Sequence, residues 1–155
     1  MSSELFALTY GALVTELLAD FEDQDAVNRQ LDKMGFSLGA RLADDFLAKT
    51  ANAPRCTDVR QIADALARHA LPMYLGTSAA VSGVSSAGDE ATLTLDSNPL
   101  MEFVELPAHL DKLCYSQLLA GAVAVTATEN ASSGLTELRL KFVRLIKESM
   151  PAGEE

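Results

Sequence analysis

The sequence predicts an α+β fold in which a layer of helices packs on a mostly antiparallel sheet. Up to about residue 71 apolar residues recur every three or four positions, which is typical of helices. Beyond that point short stretches alternate between apolar and polar residues, which is typical of half-buried strands. The predicted order is three helices, two strands, a helix and two strands, so helices and strands are segregated along the chain. The length of 155 residues predicts a single domain over residues 1–155.

The first two helices are predicted from their capping residues and apolar spacing. Ser3 is expected to cap a first helix that runs to about Asp20, and the second is expected from about Asp25 to Thr50. The predicted apolar stripe of the first helix is Leu5, Leu8, Ala12, Thr15 and Leu18, with Leu13 and Leu17 beside it. That of the second is Val27, Leu31, Met34, Leu38, Leu42 and Phe46.

Two glycines, Gly35 and Gly39, lie one turn apart on the neighbouring face of the second helix. An interior glycine costs about 0.5–1 kcal/mol relative to alanine. The pair therefore indicates that something approaches this face closely. A ligand and the backbone of a second helix explain it equally well.

The remaining elements follow from turn residues and changes of period. A third helix is expected from Thr57 or Asp58 to about Leu71, where Pro72 should stop it. Its predicted inner face is Val59, Ile62, Ala63, Leu66 and Ala70. The further predictions are strands at 73–75 and 91–95 around a Gly/Ser-rich loop, a fourth helix from Ala108 to about Ala120, a hairpin near 123–142, and a mobile tail at 151–155.

Composition excludes several classes of function. The net charge of −10 argues against nucleic acid as a partner, because nucleic-acid binding needs a basic face. The apolar run of the first helix is interrupted by polar residues and lacks a basic start, so it does not resemble a signal peptide, and a cytosolic chain is expected. His69 and His109, with two separated cysteines, lack the spacing of a zinc site. No phosphate loop, dinucleotide fingerprint or kinase motif is present.

Cys56 is the residue best placed for chemistry. It lies just before the third helix, between Arg55 and Arg60, where the helix macrodipole and the two arginines favour the nucleophilic thiolate. A thiolate attacks an acyl thioester more readily than a thiol does. The alternative is an ordinary structural cysteine, which is also the interpretation for Cys114.

Four basic residues cluster around Cys56 in the sequence: Lys49, Arg55, Arg60 and Arg68. Such a patch in an acidic chain would suit an anionic membrane surface. It is equally compatible with a solvated helix face whose charge is balanced by Asp44, Asp45, Asp58 and Asp64.

The glycine-bearing helix Leu31–Leu42 and the cysteine segment Pro54–Asp58 together resemble the small core subunits of the TRAPP (transport protein particle) vesicle-tethering complex. The similarity extends in segments over nearly the whole chain, including Leu8–Val14, Asn98–Pro107 and the end, Met150–Glu155. The chain departs substantially from this family in one place, and Pro72, where the family usually has a basic residue, is a lesser departure. The fourth helix is shortened near residues 120–124 by about a dozen residues, or roughly three helical turns.

The resemblance implies the TRAPP small-subunit fold and a non-catalytic core subunit. Such a subunit pairs with other TRAPP small subunits, with a homodimer possible in isolation. The complex tethers vesicles between endoplasmic reticulum and Golgi and supports nucleotide exchange on a Rab-family GTPase. The chain would be cytoplasmic and peripheral at the endoplasmic reticulum and cis-Golgi membranes.

The resemblance also implies a palmitoyl group on Cys56 and no other cofactor or metal. The acyl chain would lie in an apolar channel, with the small residues Gly39 and Ala70 as candidates for its lining. The alternative function is a stand-alone module that binds a hydrophobic ligand in the same cavity.

Overall fold

The computed structural model describes residues 2–51, 55–123, 126–130 and 135–141. The helices in this part of the chain are α1 (Ser3–Asp20), α2 (Gln24–Lys49), α3 (Val59–Ala65), α4 (Leu71–Leu75) and α5 (Gln117–Val123), with a π-helical segment at Leu66–Ala70. The strands are β1 (Ala79–Ser82), β2 (Glu90–Leu95), β3 (Thr126–Asn130) and β4 (Leu135–Lys141). The tail predicted at 151–155 lies outside the described residues.

The four strands form one antiparallel sheet in the order β1-β2-β4-β3. Alternate residues of the two central strands are buried, namely Ala91, Leu93 and Leu95 of β2 and Leu138 and Leu140 of β4. The helix formed by α3, the π segment and α4 supplies Val59, Ala63, Ala67 and Leu71 to the same hydrophobic cluster. The predicted α+β class, with helices on an antiparallel sheet, is confirmed.

The bounds predicted for α1 were accurate, but the predicted buried face was wrong. Ser2, rather than Ser3, is the N-cap, and its Oγ accepts a hydrogen bond from the Leu5 amide at 3.1 Å. The buried residues are Ala7, Tyr10, Val14 and Leu17, whereas Leu5, Leu8, Ala12 and Thr15 are exposed. Because α1 is apolar on two sides, spacing alone did not distinguish the inner side from the outer.

In α2 the glycine face is the buried one. Val27, Leu31, Gly35 and Gly39 face inward, while Met34 and Leu38 of the predicted stripe are exposed. A Cβ built on Gly35 would lie 2.9 Å from the amide nitrogen of Ala122. A Cβ on Gly39 would lie 2.6 Å from the carbonyl carbon of Ala122. The close approach indicated by the two glycines is therefore made by the backbone of α5.

The third helix continues past Pro72, contrary to the prediction. Its N-cap is Asp58, and helical structure continues through the π segment and α4 to Gly76, which ends it with a left-handed φ of 67°. The Leu71 amide bonds to the Leu66 carbonyl, five residues back. A π segment shifts the hydrogen-bonding register just before Pro72, so the missing N–H of the proline does not end the helix. The inner face is also corrected, since Ile62 is exposed.

The strand predicted at Met73–Leu75 was wrong, because those residues form α4. The first strand is instead Ala79–Ser82, a segment of only four residues in which apolar and polar residues do not alternate. The strand predicted at Ala91–Leu95 and the hairpin strands at 126–130 and 135–141 are present. Residues 124 and 125, where the third strand was expected to begin, lie outside the described residues.

The fourth helix was predicted from Ala108 but begins at Gln117. Residues 107–116 form turns because α2 captures their backbone groups. Gln24 donates to the His109 carbonyl and accepts from the Lys112 amide, both at 2.9 Å. Asn28 donates to the Lys112 carbonyl at 2.8 Å and accepts from the Cys114 amide at 2.9 Å. These four bonds replace the ones that a helix would form.

A buried polar network joins this segment to the sheet. The Asn98 side-chain amide donates to Ser116 Oγ at 2.7 Å and to Thr136 Oγ1 at 3.0 Å. Nearby, Tyr10 donates its hydroxyl to the Tyr115 carbonyl, and the two rings meet edge to face with centroids 5.0 Å apart. The start of α5 is thereby fixed against α1, α2 and β4.

Candidate functional site

Cys56 is a free, exposed cysteine in the connection between α2 and α3. The residues after it are fixed by the start of α3. The Asp58 carboxylate accepts from the Gln61 amide at 2.8 Å, and the Gln61 side chain accepts from the Thr57 amide at 2.9 Å. This reciprocal capping arrangement holds the backbone beside Cys56 while leaving its thiol accessible. Such a thiol can take part in an acyl exchange in which the thiolate attacks a thioester carbonyl.

The two small residues predicted beside an acyl channel lie in different surroundings. Ala70 is half-buried in the π segment, on the same continuous helix that begins after Cys56. Gly39 is buried against the backbone of Ala122. The contact with α5 accounts for the glycine at position 39 without a ligand. The role of either residue in lining a channel stays a prediction.

The four basic residues predicted as one patch do not share one environment. Lys49 pairs with Asp45 at 2.6 Å, and Arg55 is exposed beside Cys56. Arg60 and Arg68 line a groove of about 280 Å³ between the α3–π helix and strand β1. The predicted membrane-facing patch is thus divided into a neutralised lysine, an exposed arginine and a pair of groove arginines.

A polar clamp holds together the two helices that flank the Cys56 connection. The Tyr74 hydroxyl donates to Asp45 Oδ2 at 2.5 Å, and Lys49 Nζ donates to the same oxygen at 2.6 Å. Lys49 also lies over the Tyr74 ring, 5.5 Å from its centroid. Asp45 and Lys49 belong to the end of α2 and Tyr74 to α4, so the clamp joins the end of α2 to the far end of the helix that begins after Cys56.

The clamp shifts the pKa values of its acidic members in opposite directions. The hydrogen bond from Lys49, followed by that from Tyr74, lowers the pKa of Asp45 below its usual value. The hydrogen bond to Asp45, assisted by burial and by the negative carboxylate, raises the pKa of Tyr74 to about 12. Both shifts favour the pairing of a charged Asp45 with a protonated Tyr74.

The clamp predicts how stability depends on pH. The lowered pKa of Asp45 means that its contribution is complete above the ordinary carboxyl pKa of 3.8 and is lost as pH falls below that value, through the lowered pKa of the folded state. The raised pKa of Tyr74 means that its contribution is complete below about pH 10, the ordinary tyrosine value, and is lost as pH rises through about 12.

Thermal melting of the wild type and of Tyr74→Phe between pH 5 and 12 tests this dependence. The wild type should melt higher than Tyr74→Phe at neutral pH, and the difference should disappear as pH rises through about 12. Tyr10→Phe is a control that removes a hydroxyl bonded to a backbone carbonyl instead of to Asp45. A difference between wild type and Tyr74→Phe that stays constant up to the highest pH would contradict the clamp.

Sequence reasoning missed this clamp and the groove. Asp45 and Lys49 are four residues apart on α2, which signals an ion pair, but Tyr74 was assigned to a strand and could not be placed beside them. Arg60, Asp64 and Arg68 follow at intervals of four residues, which signals a shared helix face. Their position opposite β1 could not be foreseen because β1 itself was not predicted.

The described part of the chain contains neither a candidate metal cluster nor a candidate membrane-spanning helix. No cluster of three or more histidine, cysteine, aspartate or glutamate side chains there has the geometry to hold a metal ion. No described helix combines the length and the apolar character needed to cross a bilayer.

Comparison with known families and proteins gives consistent results. Residues 6–127 match the family model described as Transport protein particle (TRAPP) component. The chain is 54% identical over 166 residues to the trafficking protein particle complex subunit 3 homolog of Caenorhabditis elegans, covering 100% of this chain and 92% of that protein. It is 40% identical over 169 residues to transport protein particle subunit bet3 of Schizosaccharomyces pombe, covering 100% and 91%.

A solved structure shares the fold. The crystal structure of a trafficking protein particle complex subunit 3 from Naegleria fowleri, covalently bound to palmitic acid, matches with a TM-score of 0.87 and 33% identity, covering 94% of this chain and 98% of that one. The nematode alignment spans 166 positions for a chain of 155 residues, so at least eleven positions of that protein have no counterpart here. The place of the predicted shortening, near residues 120–124, stays a prediction.

Proposed function

The chain belongs to the TRAPP component family, and from that premise we propose that it is a non-catalytic core subunit of a vesicle-tethering complex. It acts in transport between endoplasmic reticulum and Golgi, as a cytoplasmic protein peripheral to those membranes, and supports nucleotide exchange on a Rab-family GTPase as part of the complex. The observation that carries this proposal is similarity to subunit 3 relatives over the full length of the chain.

The exposed apolar stripes of α1 and α2 are the proposed contacts with other TRAPP small subunits. On α1 the stripe contains Leu5, Leu8 and Ala12, and Leu8 is 61% exposed. On α2 the residues Phe36, Ala40, Ala43 and Leu47 repeat at helical spacing, and Leu47 is 65% exposed. Contiguous apolar surface of this kind marks an interaction site. In isolation the same stripes favour self-association.

Cys56 is the proposed site of palmitoylation. Its thiol is exposed, the residues that follow it are held by the capping contacts of Asp58 and Gln61, and the Naegleria relative is covalently bound to palmitic acid. The reaction we propose is attack of the Cys56 thiolate on a palmitoyl thioester, with formation of the Cys56 S-acyl bond and release of the donor as a thiol. The acyl chain then lies along the helix that contains Ala70.

The proposed pairing is tested by Leu8→Glu. This variant should lose at least about tenfold in affinity for a partner TRAPP small subunit, because a carboxylate in an apolar interface is desolvated without a partner. Met73→Glu is the matched control, since Met73 is also apolar and exposed but lies on α4 outside both stripes. The readout is native mass measurement of the full chain mixed with such a subunit. Equal losses in the two variants would contradict the α1 contact.

The alternative, a stand-alone module for a hydrophobic ligand, makes a different prediction in the same measurement. Such a module would remain monomeric at micromolar concentration in the presence of every TRAPP small subunit. It would also exchange its ligand without a covalent bond to Cys56.

A further inference from the structure

The groove between the α3–π helix and strand β1 has a charged lining that the proposed contacts with other subunits do not involve. Its helical wall carries Arg60, Asp64, Ala67 and Arg68, and its other wall is made by residues 79–81 and Val84. Two arginines against one aspartate give the groove a positive balance in a chain whose net charge is −10.

Neither groove arginine forms an ion pair with a carboxylate among the described residues. The ion pairs formed among the described residues are Arg29 with Asp23 and Lys49 with Asp45, and neither includes Arg60 or Arg68. Guanidinium groups bind carboxylates through paired, directional hydrogen bonds. The groove therefore favours an anionic occupant, and Asp64 between the two arginines restricts where its negative groups can lie.

The opposite wall is a free sheet edge. In the order β1-β2-β4-β3, β1 pairs with β2 on one side, and no other described segment pairs with it on the other. The Ser78 carbonyl accepts from the Asp96 amide at 2.9 Å, which makes Ser78 and Asp96 a hydrogen-bonded pair. Since such pairs alternate along an antiparallel ladder, Ala80 also bonds to β2. The backbone N–H and C=O groups of Ala79 and Val81 therefore point away from β2.

The helical wall is irregular where it meets this edge. Ala67 and Arg68 belong to the π segment, and π turns are frequently found at functional sites. The segment places Arg68 on the same groove as Arg60 across two turns of helix. An unpaired strand edge and two arginines that form no ion pair within the described residues thus face one another.

We propose that this groove binds an extended acidic peptide segment of a partner protein. The peptide adds to the outer edge of β1 as a further strand, bonding to the outward backbone groups of Ala79 and Val81, and its carboxylates lie beside Arg60 and Arg68. Strand addition supplies affinity through the main chain, and the arginines select acidic side chains. A protein partner is favoured over a membrane surface because the two arginines line a groove whose other wall offers backbone hydrogen bonds. Lys49, which was predicted to belong to the same basic patch, is neutralised by Asp45.

Fluorescence anisotropy with the full chain tests this proposal. The probe is a fluorescein-labelled peptide of alternating glutamate and valine with blocked ends. Two control peptides isolate the two contributions: one has glutamine in place of glutamate, and the other is N-methylated at alternate residues so that it cannot add as a strand. The parent peptide should bind saturably, and both controls should bind at least about tenfold more weakly, as expected when charge-assisted or main-chain hydrogen bonds are lost.

Variants locate the binding site. Arg68→Glu and Arg60→Glu should each weaken binding of the parent peptide by about tenfold or more. Arg55→Glu, the same charge change outside the groove, should weaken it by less than about twofold. Ala79→Pro removes an outward N–H at the first residue of an edge strand, a position that tolerates proline, and should also weaken binding. Circular dichroism establishes that each variant is folded.

Three results would overturn the proposal. The first is equal binding of the parent and N-methylated peptides. The second is an equal loss with Arg55→Glu and Arg68→Glu. The third is a protein that shows no saturable binding of the peptide but binds vesicles of phosphatidylcholine and phosphatidylserine, with that binding lost equally in the three arginine variants. This result would assign Arg60 and Arg68 to a membrane surface. None of these results bears on the assembly through α1, so the two proposals fail independently.

Discussion

Cys56→Ser is expected to remove the mass of a palmitoyl group and to lower the melting temperature of the protein. Each methylene of an acyl chain buried in an apolar environment contributes about 0.8 kcal/mol, which sums to the order of ten kcal/mol for palmitate before ordering costs. If only about 2 kcal/mol of this remains as a net stabilisation of the folded state, its loss lowers the melting temperature by about 4–8 °C for a chain of this size.

Two companion variants make the result interpretable. Cys114→Ser removes the other cysteine and should keep the acyl mass. Ala70→Leu adds volume beside the proposed chain, and it should yield a folded protein without acyl mass, because filling a channel costs less than the 1–3 kcal/mol typical of overpacking a core. An Ala70→Leu protein that is strongly destabilised yet still acylated would place Ala70 in the packed core. Intact mass spectrometry measures the acylation of each variant, and thermal melting measures its stability.

Gly39→Ala is expected to destabilise the protein by about 3 kcal/mol, at the upper end of the range for overpacking. The new methyl group would lie 2.6 Å from the carbonyl carbon of Ala122, and a backbone atom cannot move aside without displacing α5. The gain of about 0.5–1 kcal/mol that alanine brings to an ordinary helix interior is too small to offset this. Gly35→Ala should behave in the same way, since its Cβ would meet the amide nitrogen of Ala122 at 2.9 Å.

Denaturant unfolding of Gly39→Ala, with Ser37→Ala as control, measures this effect. Ser37 is exposed on the same helix, so alanine there should change the free energy of unfolding by no more than a few tenths of a kcal/mol. A stabilised Gly39→Ala protein would mean that α5 does not pack on this face. A protein of unchanged stability that has lost its acyl mass would instead assign Gly39 to the channel.

The sequence predicted well what depends on local signals. The bounds of α1 and α2 were correct to within one or two residues, because capping residues and long apolar repeats fix where a helix begins and ends. The buried faces of the same helices were predicted only in part, with Val27 and Leu31 of α2 buried as expected. Leu5 and Leu8 have the spacing of a core stripe and are exposed, since α1 is apolar on two sides and only tertiary packing decides between them.

Tertiary contacts explain the other errors. Residues 107–116 have helical spacing, but Gln24 and Asn28 capture their backbone from a distance of more than 80 positions in sequence. Pro72 did not stop the helix because the π segment before it changes the hydrogen-bonding register. At the candidate site, Cys56 could be singled out as a candidate residue from its local position before the third helix. The Tyr74–Asp45–Lys49 clamp joins two helices that are distant in sequence, α2 and α4, and periodicity does not predict such a contact.

The most direct test of the account is the native mass of the full chain purified with a tag from its own cells. The chain should be recovered with other TRAPP small subunits, and its own mass should exceed that of the 155-residue polypeptide by one palmitoyl group located on Cys56. Recovery of the chain alone, at the mass of the unmodified polypeptide, would contradict both the assembly role and the acyl group.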